Sequence, residues 1–101
     1  KSGVAPSDLK QLAEAIWTLP KLRLRGLMSI PDPVSDEDLK RAHQKLKSLF
    51  DALKQSHPAP EIFDTLSMGM TNDLELAVTE GSTMVRIGTA LFGARPPKDS
   101  V

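Results

Sequence analysis

Three short apolar runs, residues 22–30, 62–66 and 83–87, divide this chain, and each follows a stretch with apolar residues at helical spacing. The order is α-β-α-β-α-β. Strands separated by helices run parallel, joined by right-handed crossovers. A parallel sheet needs cover on both faces, and three parallel strands alone leave both edges open. With only 101 residues, the chain is expected to be an incomplete piece of a larger α/β assembly. A closed (β/α)8 barrel of about 250 residues needs more than twice this length.

The helices announce themselves locally. Ser7 is placed to cap a helix carrying Leu9, Leu12, Ala13, Ile16 and Trp17 on one stripe, with Trp17 as a core anchor and Pro20 as the stop. Ser35 precedes Asp36, Glu37 and Asp38, a hydroxyl cap followed by three acids on the positive end of a helix dipole. Leu39, Ala42, Leu46, Leu49, Phe50 and Leu53 carry that helix's buried face to about residue 56. Its basic residues Lys40, Arg41, Lys45, Lys47 and Lys54 read as a solvated face, His43 as surface, and His57 as a cation at the C-terminus. Thr71 is the expected cap of a third helix through Leu74, Ala77 and Val78, ended by Gly81. Residues 88–93 read as a last turn of helix, and 94–101 as a flexible tail.

Composition removes several classes of function. Lys plus Arg and Asp plus Glu both total 13, so nothing favours nucleic acid or an anionic membrane as partner. There is no cysteine, which excludes disulfides, thiolate metal sites and cysteine nucleophiles within the chain. No apolar run approaches transmembrane length. The first residue is Lys1 and not Met, and a cut or processed end is the expectation.

The chemistry concentrates in residues 67–73 (Ser-Met-Gly-Met-Thr-Asn-Asp) and 86–89 (Arg-Ile-Gly-Thr). Each run sits where a strand ends and a short helix is expected to begin. Small residues and hydroxyls there leave backbone N–H groups pointing outward, a ready site for phosphate. In α/β barrels the site lies at the carboxyl ends of the strands, and phosphate is commonly held after strands seven and eight. Alternation puts Phe63, Thr65 and Ser67 on one face, and Met84 and Arg86 on one face of the next strand. Ser67 and Arg86 then both face the mouth. The plainer reading is that Thr71 is only a cap and Gly88 only a turn. Asn72, Asp73 and Glu75 suit a helix N-terminus on dipole grounds and are read as structural. His43 and His57 lack a third ligand at a useful spacing, so no zinc set forms. No dinucleotide or nucleoside-triphosphate loop pattern is present.

Four segments carry a family resemblance: 1–3 (Lys-Ser-Gly), 22–28, 66–73 and 80–93. Together they resemble the second half of the pyridoxal phosphate homeostasis protein family, over nearly all of the chain. The resemblance implies a single barrel domain related to the N-terminal domain of alanine racemase. It implies binding of pyridoxal 5′-phosphate through a Schiff-base lysine, without turnover, in a cytoplasmic carrier or buffer. Ser67, Met70 and Thr71, with the backbone of Gly88 and Thr89, would hold the cofactor phosphate. Arg86 would lie beside the pyridine nitrogen. Arginine only donates, so that nitrogen would accept and stay unprotonated, a weaker electron sink than the protonated ring.

One departure is large. The family's Schiff-base lysine ends the first barrel strand, and no lysine here matches it. Lys10, Lys40, Lys45, Lys47 and Lys54 fall on helices, Lys21 enters a strand from the wrong end, Lys98 is in the tail, and Lys1 belongs to the Lys-Ser-Gly loop. The expectation is therefore that residues 1–93 form the C-terminal part of a (β/α)8 barrel with three parallel strands. The missing N-terminal half of the same protein would be the partner, and the completed protein a monomer. Two enzyme readings stand beside the carrier. An amino-acid racemase of the related barrel class would need a second base, a tyrosine in the relatives, and this chain has none. An unrelated phosphate-binding barrel enzyme would draw acid–base residues from the missing half.

Overall fold

A computed structural model describes residues 3–31, 35–88 and 93. A single 3-10 turn, Pro6–Asp8, leads into helix α1, Leu9–Trp17. Strand β1, Gly26–Met28, follows, then the long helix α2, Asp36–Ser56. A 3-10 turn at Pro60–Ile62 precedes strand β2, Thr65–Ser67. A last 3-10 turn, Thr71–Asp73, opens helix α3, Leu74–Thr79.

The strands β1 and β2 are parallel, with Gly26 opposite Thr65, Leu27 opposite Leu66 and Met28 opposite Ser67. Among the described residues this is a two-stranded sheet, not the three strands expected. The third run contributes one parallel bridge, Met84 to Ser67. The physical reason lies in two hydroxyls. Ser82 Oγ donates to the Met68 carbonyl at 2.6 Å, and Thr83 Oγ1 accepts from the Leu66 N–H at 2.7 Å. Side chains thus take backbone positions that a ladder would use. Met84 still bonds Leu66 and Met68, but Arg86 N–H then reaches the Gly69 carbonyl at 2.9 Å, so the pairing bends instead of continuing.

The other strands are shorter than expected for similar local reasons. Of residues 22–30 only Gly26–Met28 form a strand, and Ile62 ends a turn set by Pro60. Phe63 does not share a face with Thr65 and Ser67. It is fully buried and stacks on Phe50 with ring centroids 4.8 Å apart.

Helix packing covers one side of the sheet. Ala13, Phe50, Leu53, Phe63, Leu66, Met68 and Ala77 form the core, with Trp17 and Leu46 packed against it. Leu66 and Met68 point into it, whereas Met28 and Met84 on the opposite side are 56% and 52% exposed. Among the described residues the helices cover one face, and on the other Ser67 is buried while Met28 and Met84 are exposed.

The caps follow the sequence unevenly. Ser35 accepts from the Asp38 N–H at 3.2 Å, as expected. Ser7 does not cap α1: it lies inside the 3-10 turn, and Asp8 takes the cap position. Gly81, at φ +107°, ends α3 as expected. Its N–H bonds Val78 O and the Ser82 N–H bonds Ala77 O, the paired bonds of a Schellman stop. Lys54 is not solvated. Its ammonium donates to the carbonyls of Pro60 and Phe63 at 2.9 and 2.8 Å, tying the end of α2 to the turn before β2. His57 is a connector, not a helix-end cation. Nδ1 accepts from the Ala59 N–H at 2.9 Å, so Nε2 carries the proton that reaches the Leu24 carbonyl at 3.0 Å.

Candidate functional site

The carboxyl ends of β1 and β2 lie side by side, because the two strands are in parallel register. The Ser29 N–H donates to the Ser67 carbonyl at 3.1 Å, extending that register by one residue. Beyond Ser67 the chain must turn at once onto α3. Gly69 makes the turn at φ +103°, a left-handed conformation that side chains resist. A Cβ there would also lie 2.5 Å from the Ala77 Cβ, so α3 sits directly against this backbone.

The following loop is held from inside. Asp73 Oδ1 accepts from the Met70 N–H at 2.8 Å, and the Asp73 N–H returns to the Met70 carbonyl at 3.2 Å. The expected cap at Thr71 is therefore displaced: Thr71 opens the 3-10 turn, and the carboxylate that satisfies the loop's N–H comes from Asp73. The other oxygen, Oδ2, accepts from His43 Nε2 at 2.8 Å. Burial pushes the Asp73 carboxyl up. The hydrogen bonds from the Met70 N–H and from His43 outweigh it, and its pKa falls below the ordinary carboxylate value. His43 is fully buried, which overturns its reading as a surface residue.

Arg86 approaches from the third segment. Its Nη2 donates to the Ser29 carbonyl at 2.6 Å. Its Nε and Nη1 are buried and have no hydrogen-bond partner among the described residues, and neither has the Ser29 hydroxyl. A buried donor without an acceptor is costly, most of all on a cation. Arg86 lines a cavity of about 230 Å³ together with Ile30, Leu39, Gly69, Met70 and Asp73.

The structure therefore brings together Ser67, Met70 and Arg86 from the expected site. Ser67 is buried at the end of β2, and Met70 and Arg86 share the cavity wall. Thr71 lies one residue further along the loop, on a second concavity with Asp36 and Asn72. Gly88 is exposed, and a Cβ added to it would meet no atom of the described residues within 4 Å. Thr89 lies outside the described residues. Both backbone polar groups of Met70 are used within the loop, so Met70 brings shape and not a hydrogen bond. No group of His, Asp and Glu among the described residues could hold a metal ion.

His43 is the site residue that the sequence reading missed. A signal was available: it sits four residues after Leu39 and seven before Phe50, on the apolar stripe of α2.

Residues 1–96 match the family model described as alanine racemase, N-terminal domain. The chain belongs to that family. A pyridoxal phosphate homeostasis protein of Pasteurella multocida is 54% identical over 96 residues, covering 94% of this chain and 41% of that protein. The protein of the same name from Pseudomonas aeruginosa is also 54% identical, with 39% of its length covered. The chain thus spans about two-fifths of these curated relatives. Among solved structures of similar fold, PipY of Synechococcus elongatus with PLP bound gives a TM-score of 0.80 at 33% identity. That match covers 92% of this chain and 44% of PipY. An unknown protein from Bifidobacterium adolescentis gives a TM-score of 0.84 at 41% identity, over 91% of this chain and 37% of that one.

Proposed function

We propose that this chain is the C-terminal part of a (β/α)8-barrel protein that binds pyridoxal 5′-phosphate and buffers its supply in the cytoplasm, without turnover. The observation that carries the reading is Arg86. Two of its guanidinium nitrogens are buried without partners among the described residues, beside a loop that opens at the carboxyl end of a parallel strand. Such a cation calls for a ligand with a lone pair to offer. In relatives of 54% identity the name is pyridoxal phosphate homeostasis protein, and PipY holds PLP.

In this reading Ser67, Met70 and Thr71 with Gly88 and Thr89 surround the phosphate, and Arg86 faces the pyridine nitrogen. No atom of the described residues stands within 4 Å of a Cβ built on Gly88, which suits close approach of a ligand. When bound, pyridoxal phosphate supplies an electron sink that is weakened if its ring nitrogen only accepts. Arg86, a donor only, holds it in that weaker state, which suits storage better than turnover.

The barrel reading rests on the exposed Met28 and Met84 and on an outer edge of β1 that no strand among the described residues pairs. The preceding strands of the same protein would cover that face, pair that edge and bring the lysine that bonds the cofactor. Lys47 and Lys54 are held elsewhere, by Asp51 and by the turn before β2.

The test joins this chain to the upstream part of its own reading frame and adds pyridoxal phosphate. A shifted absorbance near the visible edge and a borohydride-trapped lysine upstream of Lys1 are the expected results. A spectrum identical to free cofactor, with no trapped adduct, removes the reading. Racemisation of alanine by the joined protein would replace the carrier with an enzyme.

A further inference from the structure

The contact between α2 and the loop after β2 lies behind the candidate cavity, whose wall includes Asp73 but not His43. His43 is fully buried, and its ring reaches across to Asp73, a side chain only 11% exposed. A carboxylate oxygen can only accept, so His43 Nε2 carries the proton of this 2.8 Å bond. Nδ1 is buried with no partner among the described residues. An unpartnered lone pair there is cheaper than an unpartnered N–H, so the arrangement selects the tautomer protonated at Nε2. Asp73 passes the constraint on: its second oxygen fixes the Met70 N–H, and its own N–H fixes the Met70 carbonyl.

We propose that His43 is a positioning residue for phosphate binding, fixing the Met70–Asp73 loop through Asp73 without touching the ligand. The proposal rests on the reading of that loop as the phosphate side of a pyridoxal phosphate site. Three anchors define the loop: the Gly69 carbonyl on the Arg86 N–H, Gly69 against Ala77, and Asp73 on Met70. The first two hold its entrance. Asp73 holds its turn through both its carboxylate and its N–H, and His43 keeps that carboxylate from rotating away.

Leucine at position 43 would keep the apolar packing and remove the donor. Glutamine would place an amide N–H close to where Nε2 now lies. The experiment measures affinity for pyridoxal phosphate and for phosphate-free pyridoxal in the protein joined to its upstream part. His43→Leu is expected to weaken pyridoxal phosphate about tenfold, the effect of one hydrogen bond to a charged group. It should leave pyridoxal unchanged, and His43→Gln should restore the phosphate-dependent part. A folded His43→Leu protein with unchanged affinity, or one that loses both ligands in parallel, overturns the proposal. So does a folded His43→Gln protein as weak as His43→Leu.

A second measurement needs no substitution. In the unaltered protein, titration with pyridoxal phosphate should shift the His43 Nε2–H resonance, and titration with pyridoxal should not. Binding without that shift overturns the positioning role alone. An unaltered protein that binds neither ligand overturns the cofactor reading, and this inference with it.

Discussion

Arg86 Nη2 donates to the carbonyl of Ser29 at 2.6 Å, joining the end of β1 to a segment 57 residues later in the chain. One bond therefore orients the guanidinium, whose two remaining nitrogens are buried with no partner among the described residues. Arg86→Glu would replace a donor by an acceptor. In the joined protein it should shift the spectrum of bound pyridoxal phosphate, because the ring nitrogen could then protonate, and weaken binding about tenfold. An unchanged spectrum with bound cofactor would place Arg86 away from the ring.

Asp73 makes a pH-dependent contribution whose sign is fixed. Its folded pKa lies below its unfolded value, so its stabilisation is complete above the unfolded value. It is lost as pH falls through the folded value, below the ordinary carboxylate range. Near neutrality Asp73→Asn should cost about 2 kcal/mol, from weakened bonds to Met70 and His43. Denaturant unfolding at a series of pH values should show that difference shrinking in strong acid. A difference independent of pH would exclude the ionised carboxylate as its source.

Gly69→Ala meets two obstacles at once, a left-handed φ of +103° and an Ala77 Cβ at 2.5 Å. The combined cost should be about 2–4 kcal/mol by denaturant unfolding. The paired change Gly69→Ala with Ala77→Gly should recover the part that comes from overlap. Failure to recover any of it would mean that the backbone conformation alone decides.

Gly26→Ala probes the sheet itself. A Cβ at this position would fall 1.5 Å from the Thr65 carbonyl oxygen, a backbone atom that cannot swing aside. The strands must part, at about 3 kcal/mol or more. Amide exchange at Thr65 and Ser29, whose N–H groups bond across β1 and β2, should accelerate. Unchanged protection at both amides would show that β1 can shift as a unit.

Local chemistry was legible in the sequence, and contacts across the fold were not. The Ser35 cap and the Gly81 stop depend on residues within one helical turn, and both stand in the structure. The loop after β2 was legible in position, since small residues cluster there, but its internal wiring was not. Asp73 and not Thr71 accepts from the Met70 N–H, and Asp73 is bonded in turn by His43, 30 residues upstream. The third strand failed in a similar way. Its apolar pattern suits a strand, but the hydroxyls of Ser82 and Thr83, just before Met84, take ladder positions on β2. No periodicity of side chains shows where a hydroxyl will spend its hydrogen bonds.

The one-sided cover of the sheet also gives the chain a chemical memory of its surroundings. Of its four methionines, Met68 is sealed in the core while Met28, Met70 and Met84 are about half exposed. Thioethers open to solvent take up oxygen from peroxide, and the sulfoxide is polar where an apolar neighbour would otherwise lie. Whatever covers that face would shield Met28 and Met84, whereas Met68 stays unreactive either way. The pattern of oxygen uptake along the chain therefore records how far the sheet has been closed.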